Sequence, residues 1–283
     1  MTCQVNTTQV IEIHEHDIID MLHDPSQLQL VFQPQVNLRT GRVDSAEALA
    51  RWHHPSWGIL PAGRFIPAIE GFGLQGSLFM RVTELALVAG AALDLAGCSM
   101  PLAINACAAT LSAPDNMEFL HAEAMRRHVS PSLIKIELTE KTPATDIGAL
   151  QSAVNRLRKW GFKVSIDDFG AGHANLDLLL SLNIDELKLD RGFAAHIGTS
   201  TVARQSVRFA LALAKEMGWR VVAEGISTAT ELRALYRLGC RHGQGYLLGR
   251  PMPLEALISH PRVRRSQRSD RGGLPGERTL LPA

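Results

Sequence analysis

The stretch KVSIDDFGAGHANL, Lys163 to Leu176, decides how this chain is read. A short apolar segment, Val164 to Ile166, runs into two adjacent aspartates, Asp167 and Asp168, and then into glycines. Successive residues of a strand face opposite ways, so neighbouring acids cannot both turn to one side of a regular strand. A strand end opening into a loop, with both carboxylates turned toward something positive, would resolve the conflict. A helical pattern from Ile147 to Trp160 precedes the stretch and stops at Gly161, the residue type that tolerates the positive φ of a helix C-terminus. The unit is therefore helix, strand, acids, loop.

That unit recurs. Apolar runs of strand length appear eight times: LQLVFQPQV, RVDSAEALA, PLAINA, LIKIEL, KVSIDD, ELKLD, RVVAEG and GYLLG. Helical patterns lie between them at Leu78–Leu95, Ile147–Trp160, Val202–Met217 and Ala229–Leu238, with Gly218 and Gly239 closing the last two. The Val, Ile and Leu content of the runs suits parallel strands covered on both faces. Alternating strand and helix predicts parallel βα units, and eight of them predict an α/β fold closed as a (β/α)8 TIM-like barrel over residues 26–258. The link Leu38–Gly41 reads as a hairpin, which makes the first strand antiparallel to the second. Residues 1–25 form a lead-in with a short helix at Asp17–Leu22. Residues 259–283, rich in Arg, Gly and Pro, read as a disordered tail, with weak contact to an acidic partner as the alternative.

Composition narrows the class. The 283 residues are 46% hydrophobic, enough for a sizeable core, and the net charge of +1 gives no general attraction to DNA or to an anionic membrane. The apolar stretch Ser77–Gly97 carries Arg81, Glu84 and Asp94, so it reads as a buried helix and not a membrane span. The opening MTCQVNTTQ lacks the basic start and apolar core of a signal peptide, and the four scattered cysteines form no CxxC pair; a reduced, cytoplasmic protein is expected. The histidine pairs His14/His16 and His53/His54 read as solvated side chains.

The polar residues sit at matching places. Glu47, Asn105, Glu137, Asp167 with Asp168, Lys188 and Glu224 each fall at the end of a successive run, and Gln244 opens the last. In a barrel those ends converge on one rim, where such folds carry their chemistry. Two carboxylates ~4 Å apart repel by about 4 kcal/mol at an effective dielectric near 20, so five on one rim call for cations. An all-oxygen set without Cys or His suits hard divalent ions, Mg²⁺ or Mn²⁺, and adjacent aspartates can serve two neighbouring ions. FGAGHAN gives only GxGxxN, and Asp168-Phe169-Gly170 stands without a glycine-rich or HRD loop, so neither dinucleotide fold nor kinase fits.

These blocks resemble the EAL-domain family of cyclic di-GMP phosphodiesterases. The likeness runs through Glu47-Ala48-Leu49 with Arg51, FQPQV at 32–36, HPSWGILPAGRFIPAIE at 54–70, Ile104-Asn105 and ELTE at 137–140. It continues through DDFGAG at 167–172, LKLDRGF at 187–193, VVAEG at 221–225 and GCRHGQGYLLGRPMP at 239–253, covering about Gln27 to Leu257. The resemblance implies a barrel with its first strand antiparallel, hydrolysing cyclic di-GMP to linear pGpG with two Mg²⁺ or Mn²⁺ ions. It implies Glu47, Asn105, Glu137 and Asp167 as ligands of one ion, and Asp167, Asp168 and Gln244 of the other. Lys188 would hold the attacking water or the developing charge, and Glu224 would be the general base of the two, with the metal-bound hydroxide itself competing for that role. Arg51 would clasp a phosphate, Gln33 and Leu49 would touch substrate, and Glu140 would brace the loop after the KVSIDD strand. A homodimer, with that loop near its interface, is a further expectation.

Departures are local. Ala171-Gly172-His173-Ala174-Asn175 lacks the hydroxyls the family carries after DDFG, and Ser227 replaces the second acid of EGVE. They bear on rate and regulation. The alternative function is a non-catalytic cyclic di-GMP sensor acting through a protein partner.

Overall fold

The computed structural model describes residues 12–139, 146–171 and 176–263. Among the described residues, nine strands run in chain order: β1 (Leu28–Asn37), β2 (Val43–His54), β3 (Gly58–Pro61), β4 (Leu102–Cys107), β5 (Ile134–Thr139), β6 (Lys163–Phe169), β7 (Glu186–Leu189), β8 (Arg220–Ala223) and β9 (His242–Gln244). Their order is β1-β9-β8-β7-β6-β5-β4-β2, and β1 pairs with β2 to close an eight-stranded barrel, with β3 appended to the outside of β2. β1 is antiparallel to both neighbours, and the other seven barrel strands are parallel. The expected (β/α)8 barrel with a reversed first strand is the observed fold. The reversal follows from the turn between β1 and β2, which is too short for a parallel crossover. There the Asn37 side-chain oxygen accepts from Arg39 N and Thr40 N at 3.0 and 3.1 Å, and Gly41 takes φ +71°.

Helices cover the outside of the barrel. Among them are Gln75–Leu95, Ile147–Lys159, Thr201–Met217 and Ala229–Leu238, within a few residues of the helical patterns read from sequence. Asp146, Ser200 and Thr228 cap the last three by accepting from backbone N–H groups. Gly161, Gly218 and Gly239 all adopt positive φ where those helices end. The lead-in helix spans Glu15–His23 and buries Ile18 and Met21. Among the described residues, no helix is long and apolar enough to cross a membrane.

Three expectations need correction. β2 continues to His54, so Glu47 lies in its middle and not at its end; only Ala46–Ala48 pair with β4, and from Leu49 on the strand pairs with β1 and, at Arg51–His54, with β3. β3 was not anticipated, because GILP is too short to show alternation. The eighth run is misplaced. GYLLG forms a turn, and the strand is His242–Gln244, so Gln244 ends it. Gly245, at φ +154° against the Ile226 backbone, breaks the strand there.

The apolar core lies between strands and helices, while the barrel interior is polar. Strands present inward pairs two residues apart: Gln33/Gln35, Ser45/Glu47, Lys135/Glu137, Ser165/Asp167, Glu186/Lys188 and His242/Gln244. All of these except the half-buried His242 are buried. Such charges inside a fold persist only when paired.

Candidate metal centre

The upper interior layer converges on one ammonium. Lys188 Nζ lies 2.6 Å from Glu224 Oε1, 2.7 Å from Glu137 Oε2, 2.9 Å from Asp167 Oδ1 and 3.6 Å from Glu47 Oε2. Asn105 Nδ2 donates to Glu47 Oε1 at 2.8 Å, and Gln244 Nε2 donates to Glu47 Oε2 at 2.6 Å and to Gln33 Oε1 at 3.1 Å. The β1–β2 register sets Gln33 directly opposite Glu47. Gln33, Glu47, Asn105, Glu137, Asp167, Lys188, Glu224 and Gln244, carried by barrel strands or, for Glu224, by the position just past β8, thus meet at one mouth.

The backbone resolves the conflict between the adjacent acids Asp167 and Asp168. Asp168 takes φ +57°, in the left-handed region, and the β6–β7 register shifts between Ile166 and Phe169. This bulge breaks strand alternation, so both acids reach the mouth. Asp168 N donates to Asp167 Oδ1 at 3.0 Å. The loop is held from outside: Asp190 N donates to Phe169 O at 3.1 Å, and Phe193 packs against Gly170 so closely that a Cβ there would overlap its ring.

Two groups of carboxylates result, Glu47/Glu137/Asp167 and Asp167/Asp168/Glu224, each with one oxygen per residue all within 4.8 Å of one another. Asp167 belongs to both. Four carboxylates surround the Lys188 ammonium, and Asp168 lies beside Asp167, so burial and neighbouring charge shift the proton affinities of several groups here. Burial, with Glu137, Glu47 and Asp168 nearby, outweighs Lys188 and pushes Asp167 up to about 6. Glu224 is raised well above the usual range, burial again leading. Burial also opposes charge on Glu137, but Lys188 and Lys135 prevail and hold it low. Burial works against the Lys188 ammonium, yet the carboxylates around it raise its pKa well above normal. A site with oxygen donors only, excess negative charge and one shared acid fits two hard divalent cations.

Beside the centre opens a cavity of about 520 Å³, lined by Gln33, Glu47, Glu224, Gln244, Arg191 and Tyr246. A second, more apolar cavity of about 270 Å³ includes Leu49 and Asn105. Arg51 follows Glu47 and Leu49 on one face of β2; Arg51 Nη1 donates to Ala50 O at 2.8 Å, and burial lowers its pKa against the pull of Tyr246 and Glu47. Glu140 and positions 172–175 lie outside the described residues. Ser227 serves the fold: its N and Oγ donate to the Glu231 carboxylate at 2.7 and 3.0 Å, extending the cap of Ala229–Leu238. Sequence reading missed Arg191 and Tyr246, although Arg191 sits three residues past Lys188. It also missed Gln35, Lys135 and Glu186, whose signal was a polar residue two positions from an expected site residue: Gln35 after Gln33, Lys135 before Glu137 and Glu186 before Lys188.

Comparison with known proteins agrees with this architecture. A family model described as EAL domain matches residues 16–251. The cyclic di-GMP phosphodiesterase NbdA of Pseudomonas aeruginosa is 34% identical over 254 residues, 89% of this chain and 32% of that protein. The chain spans between 32% and 39% of the length of several such curated relatives. A solved structure described as PaMucR phosphodiesterase in complex with c-di-GMP is 34% identical with a TM-score of 0.79, covering 86% of this chain and 98% of that one. A manganese and cyclic di-GMP complex of Klebsiella pneumoniae BlrP1 is 31% identical with a TM-score of 0.71, covering 81% and 57%.

Proposed function

This chain belongs to the EAL domain family, and from that premise we propose that it hydrolyses cyclic di-GMP to linear pGpG with Mg²⁺ or Mn²⁺. The observation that carries the reading is Asp167, shared between two carboxylate groups that close around Lys188 beside a cavity lined by Arg191 and Tyr246. Manganese and cyclic di-GMP bound to BlrP1 support the choice of ion and substrate.

Glu47, Asn105, Glu137 and Asp167 would hold one ion, and Asp167 with Asp168 the other, with Glu224 beside it. Bound there, the ions supply Lewis acidity toward the phosphodiester and neutralise the acids. Lys188 stays protonated because four carboxylates surround it, so its Nζ acts as a fixed cation and donor and not as a base. Glu224 has the raised proton affinity that a base needs near neutral pH, and it lines the cavity where substrate would lie. The cavity's Arg191 supplies a guanidinium for a phosphate, and Tyr246 an aromatic face for a base.

The test is direct. Purified chain incubated with cyclic di-GMP and Mn²⁺ should yield pGpG on chromatography, Ca²⁺ should inhibit, and Glu47→Ala should abolish turnover. Tight nucleotide binding without product at any Mn²⁺ concentration would favour the sensor. We also propose a homodimer; light scattering that shows only monomer at high concentration would count against it.

A further inference from the structure

We infer that Lys135, one layer below the proposed metal centre, is a positioning residue that sets the direction of a hydrogen-bond chain ending on Glu137 and Glu47. The inference rests on the function proposed above and concerns Lys135, Gln35 and Gln244, to which that proposal gives no role.

Lys135 is buried, its Nζ lying 2.5 Å from Glu186 Oε1, 2.8 Å from Gln35 Oε1 and 3.4 Å from Glu137 Oε1. An ammonium only donates, so the Gln35 atom facing it must be the amide oxygen. Ser45 Oγ donates to the same oxygen at 2.6 Å. The Gln35 nitrogen is thereby turned the other way, where it donates to Gln244 Oε1 at 3.0 Å and to Glu137 Oε1 at 3.2 Å. Gln244 has no freedom left: its oxygen is taken, and its nitrogen donates to Glu47 Oε2 at 2.6 Å. One donor-only residue therefore orients two buried amides and, through them, one oxygen on each of two carboxylates. The same polarity turns toward Glu47 the nitrogen of Gln244, which cannot ligate a cation, so Gln244 acts as an orienting donor. Glu186 keeps its own balance, because Arg220 Nε lies 3.1 Å from Glu186 Oε2 and Ser165 Oγ donates to it as well.

Groups that orient metal ligands typically change metal affinity by about 10–100-fold when removed. Mn²⁺ binding by the metal-free protein, read from its electron paramagnetic resonance signal without nucleotide, tests this. Lys135→Met and Gln35→Leu should each weaken binding by about 10–100-fold, and the double variant should be no weaker than the worse single, since both break one chain. Folded variants that bind Mn²⁺ like the wild type, or losses that multiply in the double variant, would overturn the inference while leaving the proposed function intact. Should Lys135→Met not fold, Gln35→Leu, which removes no charge, decides the matter. A wild type that binds no Mn²⁺ would overturn both readings.

Discussion

The Lys188 ammonium lies 2.7 Å from Glu137 Oε2, and solvent reaches neither side chain. This is the pair around which the barrel mouth is organised, and it costs desolvation that only the surrounding carboxylates offset. Removing one member strands the other. Lys188→Met should abolish hydrolysis and lower stability by about 3–5 kcal/mol in urea titrations without metal. Mn²⁺ should restore part of that loss by neutralising the uncompensated cluster of buried carboxylates. A variant as stable as the wild type without metal would contradict this account of the pair.

Asp167 gives the metal centre a pH dependence. Its pKa is about 6 in the fold against an ordinary 3.8, through burial first and neighbouring acids second. A carboxyl raised in this way favours the folded state most below pH 3.8, and that contribution is lost as pH rises through about 6. The metal-free protein should lose ~3 kcal/mol from this group across the window. Cations compete with the same proton, so apparent Mn²⁺ affinity should climb as pH rises toward about 6 and level off above it. Asp167→Asn should flatten both curves, as measured by denaturation and Mn²⁺ titration from pH 4 to 8.

His242 works in the opposite sense. Burial, followed by Arg220, lowers its pKa to about 4 despite Asp44, whose Oδ2 lies 3.4 Å from His242 Nε2. A histidine kept neutral contributes stability above its ordinary 6.5 that is lost as pH falls from 6.5 to about 4, on the order of 3 kcal/mol. His242→Gln should therefore retain more of its pH 7 stability at pH 5 than the wild type does. An unchanged acid profile would argue against the burial of a neutral ring.

Two glycines should respond very differently to the same substitution. Gly245 adopts φ +154°, and a Cβ there would overlap the Ile226 backbone, which has no room to retreat. Gly58 adopts φ +71° with open space around it. Gly58→Ala should cost about 1–2 kcal/mol from its left-handed conformation alone. Gly245→Ala should cost more than about 3 kcal/mol or prevent folding, because strain and overlap add. Equal thermal shifts for the two variants would exclude the close approach of the β9 turn to Ile226.

Much of this protein could be read from its residues in order. Hydrophobic runs, glycine stops and the hairpin at Leu38–Gly41 determined a barrel with a reversed first strand, because periodicity and turn length are local properties. The acids, Asn105 and Lys188 were legible because they interrupt apolar strands at matching places. Tertiary structure alone decided how those groups meet. Asp167 and Asp168 share a site only through the bulge and positive φ at Asp168, which no residue pattern announced. The strand that ends at Gln244 was displaced by contact between Gly245 and Ile226, distant neighbours in sequence. The order Lys135, Gln35, Gln244, Glu47 exists nowhere along the chain; it appears when closure of the barrel lets a donor-only ammonium fix which way each buried amide must face.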